Sequence, residues 1–221
     1  MPVRTLVSIW PLFAGLSLIG LAVGVQGSLL GVRAELEGFE DYLIGLLMSC
    51  YFAGFLAGSL LTPKMIQRVG HIRIFAALSA VASVTILVHS IYVNPWAWAL
   101  MRLLTGFAFS TIYVVSESWL NQASNNTNRG QVLSIYTAIL LAGICAGQFM
   151  LNVANPREFT LFILISVMVS VAAVPILLSV ITTPAIEETE RVTMRHLWYR
   201  TPMGVTGIVL SQWVSSILFG M

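Results

Sequence analysis

The sequence predicts an all-α, polytopic membrane protein: a six-helix transmembrane bundle with a 3+3 organisation, followed by an incomplete seventh span. Three observations carry that expectation. Of 221 residues, 57% are hydrophobic and 9% charged, whereas soluble domains carry about 25% charged residues; a soluble core could not absorb so much apolar surface. Seven apolar runs, at 7–32, 43–62, 74–93, 96–120, 131–154, 159–183 and 204–221, reach the roughly 18 residues that a membrane span requires. The polar breaks between them alternate between more and fewer basic residues, as loops on opposite sides of a bilayer do.

Arg4 precedes the first run, which continues to Val32 and far exceeds the ~7–15 apolar residues of a signal peptide, so a retained span is expected. Gly15, Gly20, Gly24, Gly27 and Gly31 interrupt it. The acidic stretch 35–41 leads to the second run, which carries Gly54-x-x-x-Gly58. A basic break at 63–73 holds Lys64, Arg68 and Arg73, with Gly70 suited to a tight turn. Asn94-Pro95 separates the third run from the fourth, and 121–129 separates the fourth from the fifth, which carries Gly143-x-x-x-Gly147. Small residues at this spacing let helices approach closely where lipid offers no hydrophobic drive for association. Asn155-Pro156 opens the sixth run, and 184–203 is the one long hydrophilic segment.

Alternate segments, beginning with the N-terminus, hold eight basic residues: Arg4, Lys64, Arg68, Arg73, Arg129, Arg191, Arg195 and Arg200. The other segments hold Arg33 and Arg157. The N-terminus is therefore expected in the cytoplasm, with the acidic first loop outside. The sequon Asn125-Asn-Thr127 then falls in a cytoplasmic loop and is discounted.

Two charges lie inside the fourth run. Arg102 and Glu117 are fifteen positions apart, roughly 22 Å along a helix and about 60° around it, with Gly106, Ser110 and Tyr113 on the stripe between them. Charges are costly in lipid, so this stripe is expected to face protein or water. Arg102 either lines a cavity, holding an anionic group or tuning a proton carrier, or snorkels to the outer headgroups. Gln26, Gln148, Asn152 and Gln212 either line the same cavity or bond helix to helix.

Several function classes are excluded. A net charge of +2 with singly scattered arginines offers no nucleic-acid surface. Cys50, Cys145, His89 and His196 have no metal-ligand spacing, so no metal or cofactor is expected and the histidines read as structural. A retinal protein needs a lysine in its last span, and Lys64 is the sole lysine. No nucleophile with a base at working spacing appears within the spans, so an enzyme is not expected.

Three stretches resemble the major facilitator superfamily. Gly58 through Pro63, Lys64, Gln67, Arg68, Gly70 and His71 to Arg73 is similar to its cytoplasmic signature, although Gln67 stands where many members have aspartate. Arg102-x-x-x-Gly106 resembles its fourth-span pattern. Ser116-Glu-Ser-Trp-Leu-Asn121, with Asn128-Arg-Gly130, looks most like a YcaD-like bacterial branch. The fifth span lacks the Gly-Pro of the family's antiporters. The resemblance implies a secondary active transporter of a small molecule, working by alternating access and ion- or proton-coupled. It implies that 1–183 is the N-terminal bundle, 184–203 a cytoplasmic linker and 204–221 the start of a second half. It also implies a cytoplasmic gate of Gly58, Arg68, Gly70, Arg73, Glu117 and Arg129, in which arginines pair with Glu117; the polar residues within the spans themselves suggest a substrate or coupling set of Arg102, Tyr113, Gln26 and Gln148. A missing C-terminal half is the expected partner; a non-transporting or homodimeric half-size protein is the alternative.

Overall fold

In the computed structural model of the chain, residues 3–178, Tyr199, 201–204, 206, 207 and Leu210 are described. The chain forms two compact units, 1–186 and 187–221. The expected linker at 184–203 and seventh span at 204–221, with Gln212, fall almost wholly outside the described residues.

The first unit contains α1 (Val3–Leu36), α2 (Asp41–Val69), α3 (His71–Ile91), α4 (Pro95–Gln122), α5 (Arg129–Met150), α6 (Thr160–Ala172) and the short α7 (Val174–Leu178). Together α6 and α7 make one span, so six segments are long and apolar enough to cross a membrane. Pro175 follows the break between them and cannot donate to the preceding turn. At the start of α4 the Asn94 side chain accepts hydrogen bonds from the N–H groups of Trp96 and Ala97, and Pro95 occupies the first turn, where its missing donor costs nothing.

One boundary differs from the sequence expectation. Residues 63–69 are not a loop: α2 runs through Pro63 to Val69, and the whole turn into α3 is Gly70, with φ of +88° and its N–H on Ile66 O. A proline removes one ladder bond, but Thr62 Oγ1 bonds Gly58 O at 2.6 Å and Ile66 stays buried, so packing holds the helix together across it. Lys64 and Arg68 are therefore helical residues of α2.

The extensive helix contacts are α2 with α4, α1 with α5, α3 with α4, α1 with α6, and α3 with α6. Exchanging α1 for α4, α2 for α5 and α3 for α6 maps this set onto itself, which is the topology of two related triplets. The close approaches follow the same exchange. On α2, Gly58 packs on Phe107 of α4; on α5, Gly147 packs on Leu21 of α1. The offsets are 107 − 21 = 86 and 147 − 58 = 89, so the two triplets share one register to within a turn. A Cβ on Gly58 would sit 2.7 Å from Phe107 O, and one on Gly147 would sit 3.0 Å from Gly24 Cα; neither position has room for a side chain.

The core lies along the other four helices, with Leu16 and Ile19 of α1, Phe75 and Ile86 of α3, Phe109 and Ile112 of α4, and Phe162 and Ile165 of α6 almost fully buried. Only 17% of the apolar windows of α2 and α5 is buried, against 50–56% for the rest. The two flanking helices thus hold the bundle by one narrow glycine face each and turn the other outward. Tyr42, Phe52, Leu56 and Leu60 of α2, and Leu141 and Phe149 of α5, are on the exposed side.

Candidate functional site

The stripe that begins at Arg102 faces α2. Gly106, one turn on, abuts the Tyr51 backbone, Ser110 lies against Gly58, and Tyr113 stacks at a tilt on Phe55 with centroids 6.2 Å apart. Close glycine packing fixes the α2–α4 spacing, and that spacing brings the Arg102 side chain onto α2 instead of out to the headgroups. Arg102 is 5% exposed. Its Nη2 donates to Met48 Sδ at 3.3 Å, and its guanidinium carbon lies 4.5 Å over the Tyr51 ring. Its Nε has no hydrogen-bond partner. A guanidinium over an aromatic face gains cation–π attraction, more so when desolvated, but neither ring nor thioether carries a negative charge to neutralise it.

The neighbouring seam joins α4 to α3. Thr105 and Thr85 share a hydrogen bond of 2.9 Å, and one turn further along α3 the His89 ring meets Trp98 at an angle, with centroids 5.4 Å apart. Trp98, Arg102 and Thr105 follow at i, i+4 and i+7, so Arg102 lies on α4 between these two contacts with α3 while its guanidinium contacts α2.

At the opposite end of α4, Glu117 is exposed and accepts a hydrogen bond from Tyr136 Oη of α5 at 3.1 Å. The expected ion pair with Arg68, Arg73 or Arg129 is not formed in this conformation. All three arginines are exposed, and Arg129 Nε instead donates to Asn121 Oδ1 at 2.6 Å, within the same turn region. Continuation of α2 to Val69 keeps Arg68 on that helix rather than on a loop free to fold over Glu117. Among the described residues the one ion pair is Arg33–Glu37, at 2.6 Å.

The amides divide. Gln148 is spent on α1: its Nε2 donates to Gly24 O at 2.9 Å and its Oε1 accepts from Ser28 Oγ at 2.6 Å, which is bonding between helices. Gln26 is 3% exposed with an unpartnered Nε2. Asn152 is exposed beyond the end of α5 and donates to Phe149 O. The structure thus joins Arg102 to Met48 and Tyr51 and Glu117 to Tyr136, but gathers no single cluster of Arg102, Tyr113, Gln26 and Gln148.

Sequence reasoning missed Tyr51, Met48, Tyr136, and the contact of His89 with the Arg102 seam. No spacing could reveal pairings set by the α2–α4 and α3–α4 crossings. It also treated Arg33 as a loop charge. Arg33 is 8% exposed, and besides Glu37 its Nη1 donates to the carbonyls of Pro156, at 3.1 Å, and Arg157, tying the end of α1 to the turn after α5.

The family model for the Major Facilitator Superfamily matches residues 8–221. An MFS-type transporter of Enterobacter sp. (strain 638) is 29% identical over 216 residues, covering 95% of this chain and 56% of the relative. The MFS-type transporter YcaD of Escherichia fergusonii is 27% identical over 212 residues, and one from Yersinia enterocolitica is 26% identical over 215, with the same coverage. The chain therefore spans little more than half the length of the curated relatives it matches.

Proposed function

Because the chain belongs to the Major Facilitator Superfamily, and is an integral membrane protein with six spans among the described residues, we propose that it is the N-terminal bundle of a secondary active transporter that moves a small molecule by alternating access, with ion or proton coupling. The observation that carries this reading is the internal symmetry of the contacts. Two related triplets leave α2 and α5 as the least buried helices, each held by a glycine seam and each with an apolar outer face. A bundle of this form can rock as a body against a second bundle, whether that is continued chain or another copy. In this reading 1–183 is the rigid half, 184–203 a linker, and 204–221 the beginning of the second half.

Within it, Arg102 serves substrate binding or coupling from inside the α2–α3–α4 seam, with Gln26 and Tyr113 as further candidates. Gly58, Arg68, Gly70, Arg73, Glu117 and Arg129 form the cytoplasmic gate, where the exposed arginines exchange partners as the bundle moves. The membrane is the bacterial inner membrane and the N-terminus is cytoplasmic. Uptake of a metabolite and drug panel, measured in proteoliposomes with and without a proton gradient, tests the reading. Gradient-dependent uptake of one class that falls in Arg102→Gln supports it; gradient-dependent transport unchanged in Arg102→Gln and Glu117→Gln would sink the residue assignment.

A further inference from the structure

The chain buries a positive charge that it does not neutralise. Arg102 is 95% removed from solvent inside the six-helix unit, and its contacts are a thioether, an aromatic face and an unpartnered Nε. The carboxylates on the helices packed here stand near helix ends and are exposed: Asp41 opens α2, about 10 Å along that helix from Met48, and Glu117 is roughly 22 Å along α4. Nor can a second bundle reach the guanidinium without displacing α2, because Met48 and Tyr51 of that helix cover it. An isolated buried charge is costly, and a counter-charge must come from something small enough to enter between helices.

A second orphan lies in the same seam. His89 is 1% exposed; its Nδ1 is 2.6 Å from Thr85 O, an acceptor, so Nδ1 carries the hydrogen. Nε2 has no partner. In the neutral ring that atom is a lone pair, which repels an anion; once protonated it becomes a second donor. The His89 ring meets Trp98 at 5.4 Å, and Arg102 follows Trp98 by one turn of α4. Tyr51 and Cys50 of α2 lie beside Arg102, and α6 and α7, which also pack on α3, contain no ionisable side chain. Two cations in one dry seam repel each other, and an anion between them removes that repulsion.

We propose that Arg102 and His89 form a buried site that binds a small monovalent anion together with one proton. The guanidinium and the protonated imidazole Nε2–H donate to the anion, and Tyr51 closes the site from α2. The net charge carried is zero: one anion and one proton enter, and no bond other than N–H is made or broken. This rests on the reading of Arg102 as a binding or coupling residue and gives it a chemical class, a chloride-like ion or the carboxylate of a small acid.

The test is equilibrium binding to the 221-residue chain in lipid nanodiscs, which requires no transport. Chloride, nitrate and acetate are titrated separately against a gluconate background between pH 5 and 7, with proton uptake read in weakly buffered solution. Saturable binding of one of them, with about one proton taken up per anion and affinity rising as pH falls, is the expected result; chloride against acetate separates an inorganic ion from a carboxylate. Arg102→Gln should lose at least tenfold in affinity. His89→Gln, which keeps a side-chain donor but cannot titrate, should still bind the anion without proton uptake, and Arg102→Lys should retain weakened binding, which shows that the fold survives charge-preserving change at the site. No binding of any of the three anions, binding unaltered by Arg102→Gln, or anion binding with no proton would overturn the proposal. Binding that behaves as described, in an assembled two-bundle transporter whose gradient-dependent uptake is unchanged in Arg102→Gln, would leave the site standing and refute the coupling role of Arg102 instead.

Discussion

At the scale of single residues, the spans place polar groups where another helix can answer them. Thr62 bonds Thr111 at 3.0 Å between α2 and α4, and Ser83 bonds Ser166 at 2.7 Å between α3 and α6. Tyr136 is 5% exposed and spends its hydroxyl on Glu117 across α5 and α4. Removing that hydroxyl leaves an exposed carboxylate that water can solvate, so Tyr136→Phe should cost only about 0.5–1.5 kcal/mol of stability. On the gate proposed above its effect should be larger: accessibility of a cysteine near Glu117 should rise in Tyr136→Phe as in Glu117→Gln, and unchanged labelling in both would show that this bond restrains nothing. Arg33 should behave otherwise. Its charge is bonded on three sides and nearly buried, so Arg33→Gln should destabilise by about 1.5–3 kcal/mol, seen as a lower midpoint in thermal unfolding in detergent. The burial of Arg102 follows from one charge in an apolar run with a glycine one turn away. Its partners were not legible, because Met48 and Tyr51 are 54 and 51 positions distant and only the crossing of α2 over α4 brings them together.

At the scale of elements, hydrophobic run length located every described span to within a few residues at most ends, because lipid requires a continuous apolar stretch whatever the tertiary arrangement. The exception, 63–69, shows where that signal stops. Charges and a proline read as a break, yet a helix that leaves the hydrocarbon can continue into water with its cations solvated. The glycine pattern was legible as close packing, but not which helix each glycine touched. Its meaning lies in the shared register of the α2–α4 and α1–α5 seams, and this predicts matched mutational costs. Gly58→Val and Gly147→Val each push a side chain into facing backbone and should destabilise by about 1–3 kcal/mol apiece. Gly45→Ala, on α2 with open space around it, should be neutral or stabilise by up to about 1 kcal/mol through helix propensity. Unfolding midpoints of the three variants check this; a harmless Gly147→Val beside a damaging Gly58→Val would show that the seams are not equivalent.

At the scale of the whole molecule, six spans and an even count of crossings require both ends of the bundle to lie on one side, and the distribution of basic residues chooses which. Arg129 lies at the α4–α5 junction and Arg68 with Arg73 at the α2–α3 junction, all exposed, whereas the α1–α2 junction carries exposed Glu35, Glu37, Glu40 and Asp41. Arg33 does not offset this bias, since it is neutralised by Glu37 and turned onto backbone carbonyls. Arg157, exposed in the turn after α5, is the remaining cation on the side of the α1–α2 turn. Single cysteines at Ser124 and at Glu40, on a background with Cys50 and Cys145 replaced by alanine, should therefore report opposite sides in intact cells. Glu40→Cys should react with an impermeant maleimide added outside, and Ser124→Cys should react only after the membrane is opened. Both positions lie at helix ends, clear of the glycine seams and of Arg102, so neither change should disturb the bundle. Labelling of Ser124→Cys from outside would invert the molecule and place the Glu117–Tyr136 contact at the outer surface. The gate would then have to be sought where Arg33 binds the turn after α5.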